Sequence, residues 1–142
     1  MQSNPKANPR SSHERLADES RKRFSRKKHV WKRKCREACE AAEELIEMKK
    51  KKGRVLRVKV MRLGRRVYEL GEQGNGLFDE AQQLRFDRLS DVQEDIWYQC
   101  EELAEFSGWI RLLAESRGVK TEEFPTFFTS GKLRHDGGKT GE

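Results

Sequence analysis

Through the first third of the chain, apolar side chains recur every three or four positions. Phe24, Lys28, Trp31, Cys35, Ala38, Ala42 and Leu45 fall on one helical stripe, with Lys28 its one polar member. No Gly or Pro interrupts residues 12–52. "SSHE" at 11–14 supplies a capping box, with Ser11 as N-cap and Glu14 three residues on. The pattern predicts one long helix over roughly 12–52, stopped at Gly53. Its first half is so charged that we expect it to order on binding a partner rather than by burial.

The following stretch, "RVLRVKVMRLGRRVYEL" at 54–70, supports two readings. As a helix, Leu56, Val60, Leu63, Val67 and Leu70 share a stripe and Gly71 is the C-terminal stop. As a strand, "RVLRVKV" is rich in β-branched residues, which leaves a short β segment open at 54–63. "GEQGNG" at 71–76 reads as a loop and "LFDEAQQLRFDRL" as a short helix. "SDVQ" at 90–93 is a second capping box, opening a helix with the stripe Val92, Ile96, Cys100, Leu103, Phe106, Ile110 and Leu113. Arg117-Gly118 closes it, and Gly108 weakens it midway by ~1 kcal/mol relative to Ala. "FPTFF" at 124–128 is expected to dock aromatics onto the helices. The fold expected is all-α: a basic arm and long helix (12–52), a small helical hairpin or bundle (53–130), and disordered tails at 1–11 and 131–142.

Composition narrows this picture. Of 142 residues, 39% are charged and mean hydropathy is −1.02, which limits the chain to a thin helix-on-helix core. Residues 1–66 hold 23 Lys and Arg against 8 Asp and Glu, whereas residues 67–142 hold 8 against 16. The molecule is therefore polarised, with one half suited to polyanions and the other to protein contacts or self-association. No stretch approaches eighteen consecutive apolar residues, so no membrane span is expected. Three cysteines, two of them one helical turn apart, suit a reducing compartment better than a disulfide framework.

The charge concentrates in "RKRFSRKKHVWKRKCR" at 21–36, where ten of sixteen residues are Lys or Arg. Each cation that neutralises a phosphate releases a counterion, and arginine adds two-pronged phosphate contacts. Arg21, Arg23, Arg26, Lys27, Lys28, Lys32, Arg33, Lys34 and Arg36 are the expected phosphate ligands. Phe24 and Trp31 are expected to stack on bases or dock. In composition these sixteen residues resemble the arginine-rich motifs of viral RNA-binding regulators of the lentiviral Rev class, which implies RNA ahead of DNA as partner.

Within the same run, "KRFSRKKHVWK" at 22–32 resembles the effector segment of the MARCKS family, matching at Lys22, Arg23, Phe24, Ser25, Lys27 and Lys28. That resemblance implies an anionic membrane surface or calmodulin as alternative partner, released by phosphorylation of Ser25. The second serine, the further phenylalanines and the N-terminal myristoylation glycine are missing. "RKR", "RKK", "KRK" and the "KKKK" at 49–52 would also satisfy a nuclear-import receptor. A basic-leucine-zipper reading fails, because Lys28 stands where the base-reading Asn is required and lysines occupy the zipper positions 49 and 52.

Other chemistry finds little support. His29, Cys35, Cys39, Cys100 and His135 match no zinc spacing, and buried small cysteines on an apolar stripe are the simpler reading. Acidic pairs such as Glu43-Glu44 and Glu101-Glu102 are consecutive and diverge by about 100° on a helix, so they form no acid–base couple. No catalytic residue, metal or cofactor is expected. "LAEFSGWIRLL" at 103–113 carries the spacing of a nuclear export signal, though core packing serves it better. Leu103, Phe106, Trp109, Ile110 and Leu112 are the candidate protein contacts. The expectation is a non-enzymatic nucleic-acid-binding regulator with RNA favoured. It would be nuclear or nucleocytoplasmic in a eukaryotic or viral setting and cytoplasmic otherwise, with a second copy and transport receptors as protein partners. The alternative is an adaptor whose basic run is an import or membrane-attachment element.

Overall fold

A computed structural model describes residues 12–129, and among them it contains three α-helices, one 3-10 turn and no strand. Helix α1 spans Ser12–Lys52, α2 spans Arg57–Gln83 and α3 spans Leu89–Glu115, followed by the turn Thr121–Glu123. The all-α expectation holds. Ser11 and the two tails expected to be disordered lie outside the described residues.

The contacts define an up-down-up bundle. The N-terminal half of α1 meets the C-terminal half of α2, since Lys27 pairs with Glu80 and the Trp31 indole donates to the Leu70 carbonyl at 2.8 Å. Helix α3 runs antiparallel to α2, with Gln93 beside Phe78 and Cys100 beside Gly74. It therefore lies parallel to α1, and Asp95 faces Lys28 and Lys32.

The stripe along α1 is the core face. Phe24, Trp31, Cys35, Ala38, Ala42 and Leu45 are buried, with Cys39 beside them. Burial begins at Phe24, so the charged first half is packed through one face. The glycine stops at Gly53 and Gly118 hold. Gly53 adopts φ +78 and its N–H closes onto the Lys49 carbonyl at 2.8 Å. Gly118 adopts φ +83, with Gly118 N–H to the Glu115 carbonyl and Val119 N–H to the Ala114 carbonyl completing a Schellman motif.

Of the two readings of 54–70 the helix holds, and the β segment left open at 54–63 does not form: α2 begins at Arg57 and buries Val60, Leu63, Val67 and Leu70 at helical spacing. Leu56 precedes the helix as its N-cap and is exposed, so it leaves the stripe. The loop expected at 71–76 is overturned, and Gly71 is no stop. Helix α2 runs through to Gln83, and the expected short helix at 77–89 is its last two turns followed by the α2–α3 turn. Ser90 likewise lies inside α3, whose N-cap is Arg88 without a side-chain cap.

The reason α2 tolerates its glycines is contact made from far along the chain. A Cβ on Gly64 would lie 2.2 Å from the Phe124 ring, and one on Gly71 would lie 2.3 Å from the Phe127 ring. On Gly74 it would meet Cys100 Sγ and the Trp31 ring, each at 2.6 Å. The segment after α3 thus lays Phe124 and Phe127 along α2, as expected of "FPTFF". The buried Ser107 hydroxyl accepts the Phe127 N–H at 2.8 Å and fixes this strap to α3.

Candidate nucleic-acid interface

A helix turns about 100° per residue, so one basic run presents cations in several directions. On α1 these fall into two groups. Along the edges of the buried stripe, Lys28 reaches Asp95 at 2.8 Å and Lys32 reaches it at 2.6 Å. On the α2 side Lys27 pairs with Glu80 at 2.9 Å, and Arg21 pairs with Asp18 while donating to the Leu84 carbonyl at 3.0 Å. These four cations tie α1 to its neighbours or to its own first turns. Burial pushes the Asp95 carboxyl up, but hydrogen bonds from Lys28 and Lys32, and their charges, outweigh it and hold the group below the ordinary carboxylate range.

The second group faces outward. Lys22, Arg26, His29, Arg33 and Arg36 are all exposed and spaced four, three, four and three residues apart, opposite the core stripe. Among the described residues none of these five forms an ion pair. Arg23 and Lys34 are exposed beside them, with Arg23 donating to the Ser20 hydroxyl at 3.2 Å. Lys22 to Arg36 covers about 21 Å at 1.5 Å per residue, an axial length over which duplex DNA presents about twelve phosphate charges. Further along the same face Glu40, Glu44 and Glu47 are exposed, so the cationic footprint ends there.

Two arginines missed by the sequence reading extend the site. Arg85 and Arg88, in the α2–α3 turn, line a surface groove with Arg21, Lys22, Ser25 and Arg26; Asp18 and Asp87 line it too, and Arg88 pairs with Asp91 at 2.9 Å. Arg85 holds φ +54, a left-handed backbone where a side chain is uncommon. No sequence signal joins residues 21–26 to 85–88; only the antiparallel packing of α1 on α2 brings them together. A second basic stretch begins at the "KKKK" of 49–52, the import address above. Residues 49–66 hold ten Lys and Arg and no Asp or Glu, and they surround the α1–α2 corner at the far end of the bundle.

Several candidates are relocated. Phe24 and Trp31 are 1% and 0% exposed, so they dock into the core and offer no face to a base. Phe24 instead packs on Phe86 with ring centroids 5.4 Å apart. Its burial also removes the aromatic on which the effector-segment resemblance leaned, although Ser25 remains exposed. Of the candidate protein contacts, Leu103 and Ile110 are fully buried and Phe106 half-buried, which leaves Trp109 and Leu112 at the surface, each 50% exposed. An export receptor would have to unpack α3 to read this segment.

The cysteines are core residues. Burial pushes the thiols of Cys39 and Cys100 up to about 12 and raises that of Cys35 as well, so all three are poor nucleophiles. Among the described residues no three His, Cys, Asp or Glu converge in a way that could hold a metal ion, and no helix is long and apolar enough to cross a membrane. No protein-family model, curated protein or solved structure matches this chain.

Proposed function

We propose that this chain is a non-enzymatic nucleic-acid-binding protein that grips phosphates along the outer face of α1. The observation that carries the reading is the sorting of cations on α1. The inward ones are spent on the fold, while Lys22, Arg26, Arg33 and Arg36 stand exposed on a packed helix with no carboxylate partner among the described residues. A polyphosphate is the partner that rewards such a row, through counterion release and the two-pronged geometry of arginine.

With Phe24 and Trp31 in the core, neither offers a face for base stacking within the basic run. Recognition then rests on backbone phosphates, which favours helical stretches, RNA stems among them, over unstructured single strands. Arg85 adds a contact from the adjoining turn, and Arg88 beside it is exposed but paired with Asp91 at 2.9 Å. Nuclear import would use the same exposed run and is compatible with this reading. Attachment to an anionic membrane is the competing one.

Titration of the full chain against an RNA stem-loop, a DNA duplex of equal length and anionic vesicles, each at low and high salt, separates the readings. Salt-dependent binding to the stem-loop or duplex, lost in the Arg26→Ala/Arg33→Ala/Arg36→Ala variant, supports the proposal. Preference for vesicles, or nucleic-acid binding untouched by the triple substitution, overturns it.

A further inference from the structure

The outer face of α3 repeats the geometry of the outer face of α1 with opposite chemistry. Tyr98, Glu102, Glu105, Trp109 and Leu112 are spaced four, three, four and three residues apart, the same steps as Lys22, Arg26, His29, Arg33 and Arg36. All five are exposed, with Tyr98 at 62% and Trp109 and Leu112 at 50% each. Both rows run about 21 Å along a helix. Gly108 beside Trp109 has nothing within 4 Å of where a Cβ would stand, so the face is open there.

We infer that the outer face of α3 receives the outer face of α1 from a second copy of this chain. Charge complementarity picks this occupant: Glu105 is exposed, Glu102 is exposed and held only by neutral partners, Gln99 at 2.8 Å and the Cys39 thiol, and the molecule displays a row of exposed cations along α1. Arginine is also the residue that pairs with exposed Trp and Tyr rings, by cation–π contact and stacking, and these three types are enriched at interfaces. Parallel or antiparallel rows with three- and four-residue steps interlock as ridges in grooves. Helices α1 and α3 pack side by side, with Asp95 on Lys28 and Lys32 and Glu102 beside the Cys39 thiol, so their outer rows cannot lie face to face within one chain and the contact is between copies. It joins two different surfaces, a head-to-tail association that grows with concentration until a ring closes.

The contact rests on the exposure of the α1 row and not on the nucleic-acid reading, yet the two share that row. A phosphate backbone and a neighbouring α3 therefore compete for it. Exposed ion pairs dominate, so the association is weak and salt-sensitive, with a Kd on the order of 10–100 μM.

Light scattering and sedimentation of the full chain test this through a charge swap. At about 50 mM salt the wild-type mass should exceed 16.7 kDa and rise with concentration, returning to the monomer value at about 0.5 M salt. The variants Arg26→Glu/Arg33→Glu/Arg36→Glu and Glu102→Arg/Glu105→Arg should each associate at least tenfold more weakly. Mixed in equal amounts they should associate again, because each row then meets its opposite. Helical circular dichroism of each variant confirms that it is folded. A wild type that stays at 16.7 kDa near 0.2 mM protein in low salt, or a mixture no more associated than its components, overturns the inference. The Glu102→Arg/Glu105→Arg variant should still bind the RNA stem-loop. A chain that binds RNA without associating, or associates without binding RNA, sinks one proposal and leaves the other.

Discussion

Lys32 and Arg33 are neighbours in sequence and about 100° apart on α1, and that angle gives them different work. Lys32 shares Asp95 with Lys28 and holds α1 to α3. Arg33 faces solvent without an ion pair among the described residues. The inner edge of the basic run belongs to the fold and the outer row to a partner. A basic run is therefore two populations, and its total charge overstates what a ligand can reach. The acidic residues show the same division: Glu80 and Asp95 hold cations in place, while Glu102, beside Gln99 and the Cys39 thiol, and Glu105 are exposed without a cation among the described residues.

Breaking the inner side should have the largest effect. Trp31→Ala removes a side chain that is 0% exposed together with its hydrogen bond to the Leu70 carbonyl, and should cost about 3–5 kcal/mol in chemical denaturation. If Trp31 instead stacked on bases, the substitution would leave stability nearly unchanged and weaken RNA binding.

Gly71→Ala comes next. The added Cβ would meet Phe127 ring atoms at 2.3–2.4 Å, so the strap or the helix must shift, for a loss of about 1–3 kcal/mol. Gly108→Ala is its control, because no atom stands within 4 Å and helix propensity alone should raise stability by about 1 kcal/mol. Equal changes of one sign at both sites would contradict the packing described for α2.

Asp95→Asn probes the inner edge by charge alone. All three side chains of the cluster keep some solvent contact, so the expected loss is modest, about 1 kcal/mol near neutral pH. The carboxyl is held below its ordinary pKa of 3.8, so its contribution is intact above that value and fades as pH falls through the lower folded-state value. The stability gap between wild type and Asp95→Asn should therefore close in acid, below about pH 4, and stay constant from about pH 5 to 8. A gap that widened in acid would contradict the pairing.

The smallest effect is expected at Ser25, which is exposed in the groove with Arg21, Lys22, Arg26, Arg85 and Arg88, where Asp18 and Asp87 offset part of the positive charge. Ser25→Asp places one negative charge there and should weaken stem-loop binding a few-fold, with a phosphate doing more. Unchanged affinity and salt slope would remove Ser25 from the site.

Much of this was legible in the chain itself, for identifiable reasons. The α1 stripe from Phe24 to Leu45 repeats every three or four residues with Lys28 its one polar member, and Gly53 and Gly118 end their helices in the left-handed geometry that favours glycine. The α3 stripe was legible as well, with Ile96, Cys100, Leu103, Ile110 and Leu113 all buried. What misled was local evidence overruled at long range. Gly71, Gly74 and Gly76 read as a loop because three glycines in six residues argue against helix; Phe127, Trp31 and Cys100 fill the places the first two leave open. Phe24 and Trp31 read either as base-stacking residues, because cations surround them, or as docking ones, and helical periodicity favours the second by placing them on the core face. Arg85 and Arg88 carried no signal, since their place in the site depends on the antiparallel pairing of α1 and α2.

The central claim is that the outer row of α1, and not the basic run as a whole, meets the phosphates. The slope of log affinity against log salt measures it most directly, for wild type, for Arg26→Ala/Arg33→Ala/Arg36→Ala and for Lys28→Ala/Lys32→Ala on one duplex. Removing three phosphate contacts should flatten the slope by about 2.7, while the inner-edge pair should leave the slope near the wild-type value and lower stability instead. Equal flattening by both variants, or none by the outer triple, would contradict the account.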